Sequence, residues 1–162
     1  MTTAERAADP AARLQHALDL SYRFLGHRDR TVAEIRRHLE HKRVEPATID
    51  KAVAVLCDQG YLDDARFAER FAADRRTLDG WGPDRIERRL AAAGVAARHI
   101  EAAIAARDVQ EELAAALGVL RRRFPIPPSD DRERGRALGL LVRKGYSLEL
   151  AHDAIRSLAR GD

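Results

Sequence analysis

A chain of 162 residues has the size of one ordinary domain, and a 45% hydrophobic content rich in Ala and Leu, with only 5% aromatic residues, favours helix over sheet. Charge is abundant at 34% yet nearly balanced, 29 basic against 26 acidic residues spread evenly along the chain, so no basic tail exists and any positive surface must be sorted onto one face by folding. The single cysteine, Cys57, excludes an internal disulfide and a multi-thiolate zinc site, and the absence of any run of about 18 apolar residues predicts a cytoplasmic protein without a membrane span.

The segment 1–9 is charged where a signal peptide needs an apolar core and is expected to be a disordered tail. A first helix follows from Pro10 to Leu25. Thr31 and Glu34 have the spacing of a capping box, which predicts a second helix through Leu39. Pro46 suits the first turn of a third. Asp63 is placed to cap a helix running from Asp64 to Leu78, Pro83 opens the next, and a later helix from Val109 to Phe124 must stop at the Pro-rich loop 125–131.

Sliding the chain against itself exposes a repeat of 51 residues. Ile35, Ile86 and Ala137 coincide, as do Leu39, Leu90 and Leu141; then Arg43, Gly94 and Gly145; Val44, Val95 and Tyr146; Ile49, Ile100 and Ala151; Ala52, Ala103 and Ala154; and Val53, Ile104 and Ile155. The shared pattern is an apolar helix, a glycine turn and a second apolar helix at 3.6-residue spacing, each pair preceded by one more helix. The expected fold is therefore all-α, with three three-helix repeats at 10–60, 61–107 and 108–162 in an elongated, curved array, although one compact bundle stays open. Arg43 stands where the other repeats have glycine, so the first turn should be strained or differently shaped.

Few residues suggest chemistry. Glu34, His38 and His41 share a helix face, but zinc needs further converging ligands, so a solvated polar face is the reading and no metal is expected. Cys57 reads as a small core residue. Asp63 and Asp64 read as helix caps rather than an acid–base pair. The GWGP segment at 80–83 lacks the strand and third glycine of a dinucleotide loop, so no cofactor is expected. Trp81 within it reads as a packing anchor between repeats, with partner contact as the alternative. Neither a catalytic group nor an enzyme emerges.

The basic residues are 26 Arg against three Lys, and they cluster at Arg36 and Arg37, Arg75 and Arg76, Arg88 and Arg89, Arg121, Arg122 and Arg123, and Arg143 with Lys144. Stacked repeats could align them into a partner-binding face suited to carboxylates or phosphates.

The run Gly60, Tyr61, Leu62, Asp63, Asp64, Phe67 and Ala68 resembles the signature of the RecX family. Glu34, Ile35 and Leu39 upstream, then Gly82, Arg85, Ile86, Leu90 and Gly94, and the closing Arg143, Lys144, Gly145, Tyr146 and Ser147 are similar to its flanking segments. The resemblance covers about Ala17 to Leu158. It implies a tandem three-helix repeat protein that binds the RecA recombinase filament on single-stranded DNA and inhibits its ATPase, strand exchange and coprotease activities; a monomeric state and a weak direct DNA contact are further expectations. Tyr61, Leu62 and Phe67 in this signature also read as core residues. The alternative is a helix-turn-helix regulator that binds DNA directly, against which the helix around Arg98 to Arg107 is Ala-rich and poor in base-reading side chains. A hydrolase is the third and weakest reading.

Overall fold

The computed structural model describes residues 9–161. The expected tail lies outside the described residues except for Asp9, whose carboxylate accepts from the Ala11 N–H at 3.0 Å and caps the first helix. Regular structure among the described residues is helical throughout: α1 (Pro10–Leu25), α2 (Val32–His41), α3 (Pro46–Asp58), α4 (Asp64–Asp74), α5 (Pro83–Ala92), α6 (Ala97–Ala105), α7 (Val109–Arg123), α8 (Asp131–Lys144) and α9 (Leu148–Arg160). The all-α reading and its tandem three-helix organisation hold.

The helices fall into two compact units. The first comprises the described residues through Phe67 together with Ala92–Ala96. Helix α1 packs on α2 and α3, and the core is Ala17, Leu18, Ile35, Leu39, Ile49, Ala52, Leu56 and Leu62. The capping box is present: the Thr31 hydroxyl accepts from the Glu34 N–H at 3.1 Å while the Glu34 carboxylate accepts from the Thr31 N–H at 2.9 Å. The same hydroxyl donates to the Ala93 carbonyl at 2.6 Å.

The second unit comprises Ala68–Ala91 and the described residues from Ala97 onward. Its main core joins α7, α8 and α9 through Ala116, Leu120, Ala137, Leu141, Tyr146, Ala151, Ala154 and Leu158. Tyr146 donates its hydroxyl to the Gly80 carbonyl, and burial first, then the nearby Glu112 charge, pushes its phenol up to about 12.

The 51-residue register is written in the burial. Ile35, Ile86, Ala137, Leu39, Leu90 and Leu141 are all fully enclosed, as are Ala52 and Ala154. Full burial of a Leu or Ile is worth about 1.5–3 kcal/mol, so these positions recur because each repeat needs the same anchors. The turn residue recurs too: Arg43 (φ 60°), Gly94 (φ 81°) and Gly145 (φ 100°) are all left-handed. The first turn therefore keeps the shape of the others, and Arg43 carries the strain.

Three expectations are corrected. Helix α4 ends at Asp74 rather than Leu78, and Arg75–Asp79 form a wider π-type turn closed by left-handed Gly80. Cys57 is exposed, at the edge of the α3 face that buries Ala52, Val53 and Leu56, and not in the core. Tyr61 is also exposed, with its ring edge-on to Tyr22; of Tyr61, Leu62 and Phe67 only Leu62 is fully in the core.

Candidate partner-binding surfaces

The paired carboxylates of the signature are both caps, for two different helices. Asp63 accepts from the Arg66 N–H at 3.0 Å and starts α4, whereas Asp64 accepts from the Val32 N–H at 3.0 Å and finishes the N-terminus of α2. The GWGP segment is likewise structural. The Gly82 N–H donates to Lys144 O at 2.8 Å and the Asp84 N–H to Gly145 O at 2.9 Å, and a Cβ on Gly82 would sit 2.6 Å from Gly145 O. Trp81 is buried, edge-on to Phe71 and covered by the Arg85 guanidinium 4.1 Å from its ring.

In the first unit, Arg36 binds Asp50 at 2.7 Å and Arg37 is exposed. Arg37 borders a shallow hollow of about 370 Å³ with Phe24, Arg28, Arg30, Glu34 and His38. Phe24 is sandwiched there, stacked on His38 at 4.0 Å and on the Arg30 guanidinium at 3.7 Å. Burial, with Lys42, Arg30 and His41 around it, holds the His38 imidazole below its ordinary pKa. Burial also raises the Glu34 carboxyl, but bonds from Arg28 and the Thr31 N–H and the arginine charges outweigh it, leaving Glu34 below its ordinary value. Among the described residues no group of three or more His, Cys, Asp or Glu gathers where it could hold a metal ion.

In the second unit, Arg76 does not face solvent. It is 8% exposed, donates to Ala103 O at 3.1 Å and Ile104 O at 3.0 Å, and pairs with the equally buried Glu112 at 2.9 Å. These bonds hold the C-terminus of α6 against α7, so Arg76 leaves the candidate face. Arg75 is half-buried and binds Asp79 at 2.6 Å.

Arg88, Arg89, Arg121, Arg122, Arg123 and Arg143 are exposed. Arg121–Arg123 and Arg143 with Lys144 lie in the last turns of α7 and α8, where the helix dipole favours cations. The structure brings Arg122, Arg123 and Lys144 together around a cleft of about 570 Å³, with Leu78, Val119 and Leu140 as its apolar lining. Lys144 is fixed there by donating to Asp79 O at 2.7 Å. Arg88, Arg89, Arg121 and Arg143 do not line it. Sequence reading missed the apolar part because Leu78 reads only as the last residue of a helix, and the wide turn that exposes it has no signature in the letters.

Comparison with known proteins gives a consistent result along the chain. Family models described as the first, second and third three-helix domains of RecX match residues 17–56, 63–104 and 110–155. A relative from Cronobacter sakazakii named "Regulatory protein RecX" is 34% identical over 143 residues, covering 82% of this chain and 86% of its own length. A relative of the same name from Bacillus velezensis is 28% identical, covering 88% of this chain, which spans only 55% of that protein. The crystal structure of RecX from Lactobacillus salivarius superposes with a TM-score of 0.80 over 92% of this chain and 98% of that one, at 18% identity, which supports the shared fold. Three matched domains in the expected order, together with an extensive relative above 30% identity, show that this chain belongs to the RecX family.

Proposed function

We propose that this chain is a regulator of the RecA recombinase, binding the RecA filament on single-stranded DNA and inhibiting its ATPase, strand exchange and coprotease activities. Recombination, DNA repair and the SOS response would be restrained as a result. The observation that carries this reading is the match of all three RecX three-helix domains, in order, across the chain.

The physical means are steric and electrostatic. Exposed arginines at Arg88, Arg89, Arg122, Arg123 and Arg143, with Lys144, supply planar forks and a positive field for acidic protein surface or phosphate. Binding of that kind weakens with salt, because part of it comes from screened ion pairs and released counterions. The pattern supports protein recognition over the helix-turn-helix DNA reading, since α6 is a short helix dominated by Ala.

The test is the single-strand-dependent ATPase of the cognate RecA with this protein titrated in at two salt concentrations. Substoichiometric inhibition, reduced by salt and by Arg88→Ala/Arg89→Ala/Arg143→Ala, is the expected result. No effect at excess protein would overturn the assignment.

A further inference from the structure

We propose that the cleft lined by the 75–79 turn, α7 and α8 in the second unit is a docking groove for an acidic protein segment carrying a protruding apolar side chain. The proposal rests on the reading of the chain as a protein-binding regulator and specifies one contact within it.

The groove begins with an anomaly. Leu78 is 72% exposed although the helix leading to it is amphipathic and its neighbour Arg76 is buried. One exposed leucine is ordinary on a protein surface. This one, however, stands on a wide turn, a backbone form uncommon in helices and frequent at functional positions, and it borders the same cleft as Val119 and Leu140. The turn is not loosely held. Gly80 closes it in the left-handed conformation, where an added Cβ would lie 3.0 Å from the Val119 side chain, and Lys144 and Tyr146 bond the carbonyls of Asp79 and Gly80. Leu78 is thus presented by a braced scaffold, which lowers the ordering cost of binding.

Charge then selects the occupant. Arg122, Arg123 and Lys144 form the rim, while Asp79, the acidic residue of the lining, is held by Arg75. The groove therefore pairs a positive rim with an apolar floor. A single nucleic-acid strand has the right sign, but it binds such grooves largely by stacking bases on aromatic rings, and among the described residues no aromatic side chain lines this cleft. A segment with carboxylates flanking an apolar side chain satisfies both halves: the arginine forks meet carboxylates and the apolar group covers Leu78.

The test uses the full chain and two fluorescein-labelled twelve-residue probes, one Glu-rich peptide with a central Leu and the same peptide with Ser there, beside a dT oligonucleotide. Anisotropy titrations should show saturable binding of the Leu peptide. The Ser peptide should bind about tenfold more weakly, and so should the Leu peptide to Leu78→Asp and to Arg122→Glu/Arg123→Glu. Leu78→Asp should leave dT binding unchanged. Thermal melts establish that each variant is folded, with Leu78→Ser replacing Leu78→Asp if the charge disturbs the turn. Absence of saturable peptide binding, equal binding of the two peptides, or parallel loss of dT binding in Leu78→Asp would overturn the proposal, the last by identifying a nucleic-acid groove. Filament binding separates the two readings. A wild-type chain that binds the Leu peptide but no RecA filament leaves the groove and removes the RecA assignment, whereas a filament bound equally by wild type and Leu78→Asp removes the groove and leaves the assignment.

Discussion

Removing the Glu112 carboxylate should destabilise the second unit far more than removing the whole ion pair. Arg76 and Glu112 lie 2.9 Å apart and are 8% and 5% exposed. At an effective dielectric constant near 20 their attraction is about 6 kcal/mol, which the several kcal/mol needed to desolvate each ion largely offset. The pair is also incompletely satisfied, because Arg76 Nε and Glu112 Oε2 are buried without hydrogen-bond partners. Glu112→Ala strands the guanidinium in a dry site and should cost about 3–5 kcal/mol. Arg76→Met should cost a similar amount, since it strips donors from the Ala103 and Ile104 carbonyls and leaves the buried Glu112 carboxylate facing the more distant, partly exposed Arg107 guanidinium at 4.0 Å. The double variant Arg76→Met/Glu112→Leu replaces both charges with apolar groups of similar volume and should lie within about 2 kcal/mol of wild type. Urea unfolding followed by circular dichroism at pH 7, in a complete double-mutant cycle, measures each term. Additive single effects, or a cost below about 1 kcal/mol for Glu112→Ala, would refute the account of this pair.

Further expectations come from the helix ends. Arg43→Gly should stabilise by about 0.5–1 kcal/mol in thermal melts, because relief of left-handed strain exceeds the added flexibility of the unfolded chain. Gly145→Ala should instead cost about 2–3 kcal/mol, since φ is +100° and the new Cβ would collide with Arg85, and its melting temperature should drop accordingly. Asp64→Ala should lose about 1 kcal/mol, with faster amide exchange at Val32 reporting the lost cap. Glu34 has a lowered carboxyl pKa, so its contribution is present above the unfolded value of 4.5 and disappears as pH falls through the lower folded value. Glu34→Gln should therefore melt below wild type at pH 7 and approach it once the pH has fallen through the folded-state value.

Most of the helical plan was legible because its causes are local. Pro10, Pro46 and Pro83 each open the helix their letter promised, Thr31 and Glu34 form their box, and the 51-residue repeat located core positions such as Leu39, Leu90 and Leu141. What the letters hid depends on distant partners. Arg76 looks like any surface arginine until α6 and Glu112 close around it. Leu78 looks like the last residue of a regular helix until the backbone widens at Arg75. Cys57 has apolar neighbours in sequence and follows buried Val53 by one turn, but it lies at the edge of the buried face, where exposure depends on how far the packed neighbours reach and not on periodicity. The candidate surface was visible as arginine clusters, but their grouping was not, because Arg122, Arg123 and Lys144 meet only through the packing of α7 and α8.

The caps of α2 bear on how the chain folds as it is synthesised. One donor at that helix end is satisfied by Asp64, and the Thr31 hydroxyl that caps it is itself tied to Ala93, 62 positions downstream. A nascent chain that has emerged only through Gln59 contains all of α1, α2 and α3 yet lacks both partners. Its second helix would fray at the start, and closure of the first unit waits for residues of the next repeat. Both caps of α2 thus become available only once the chain extends through Ala93, and shorter fragments should be open to proteolysis near Thr31.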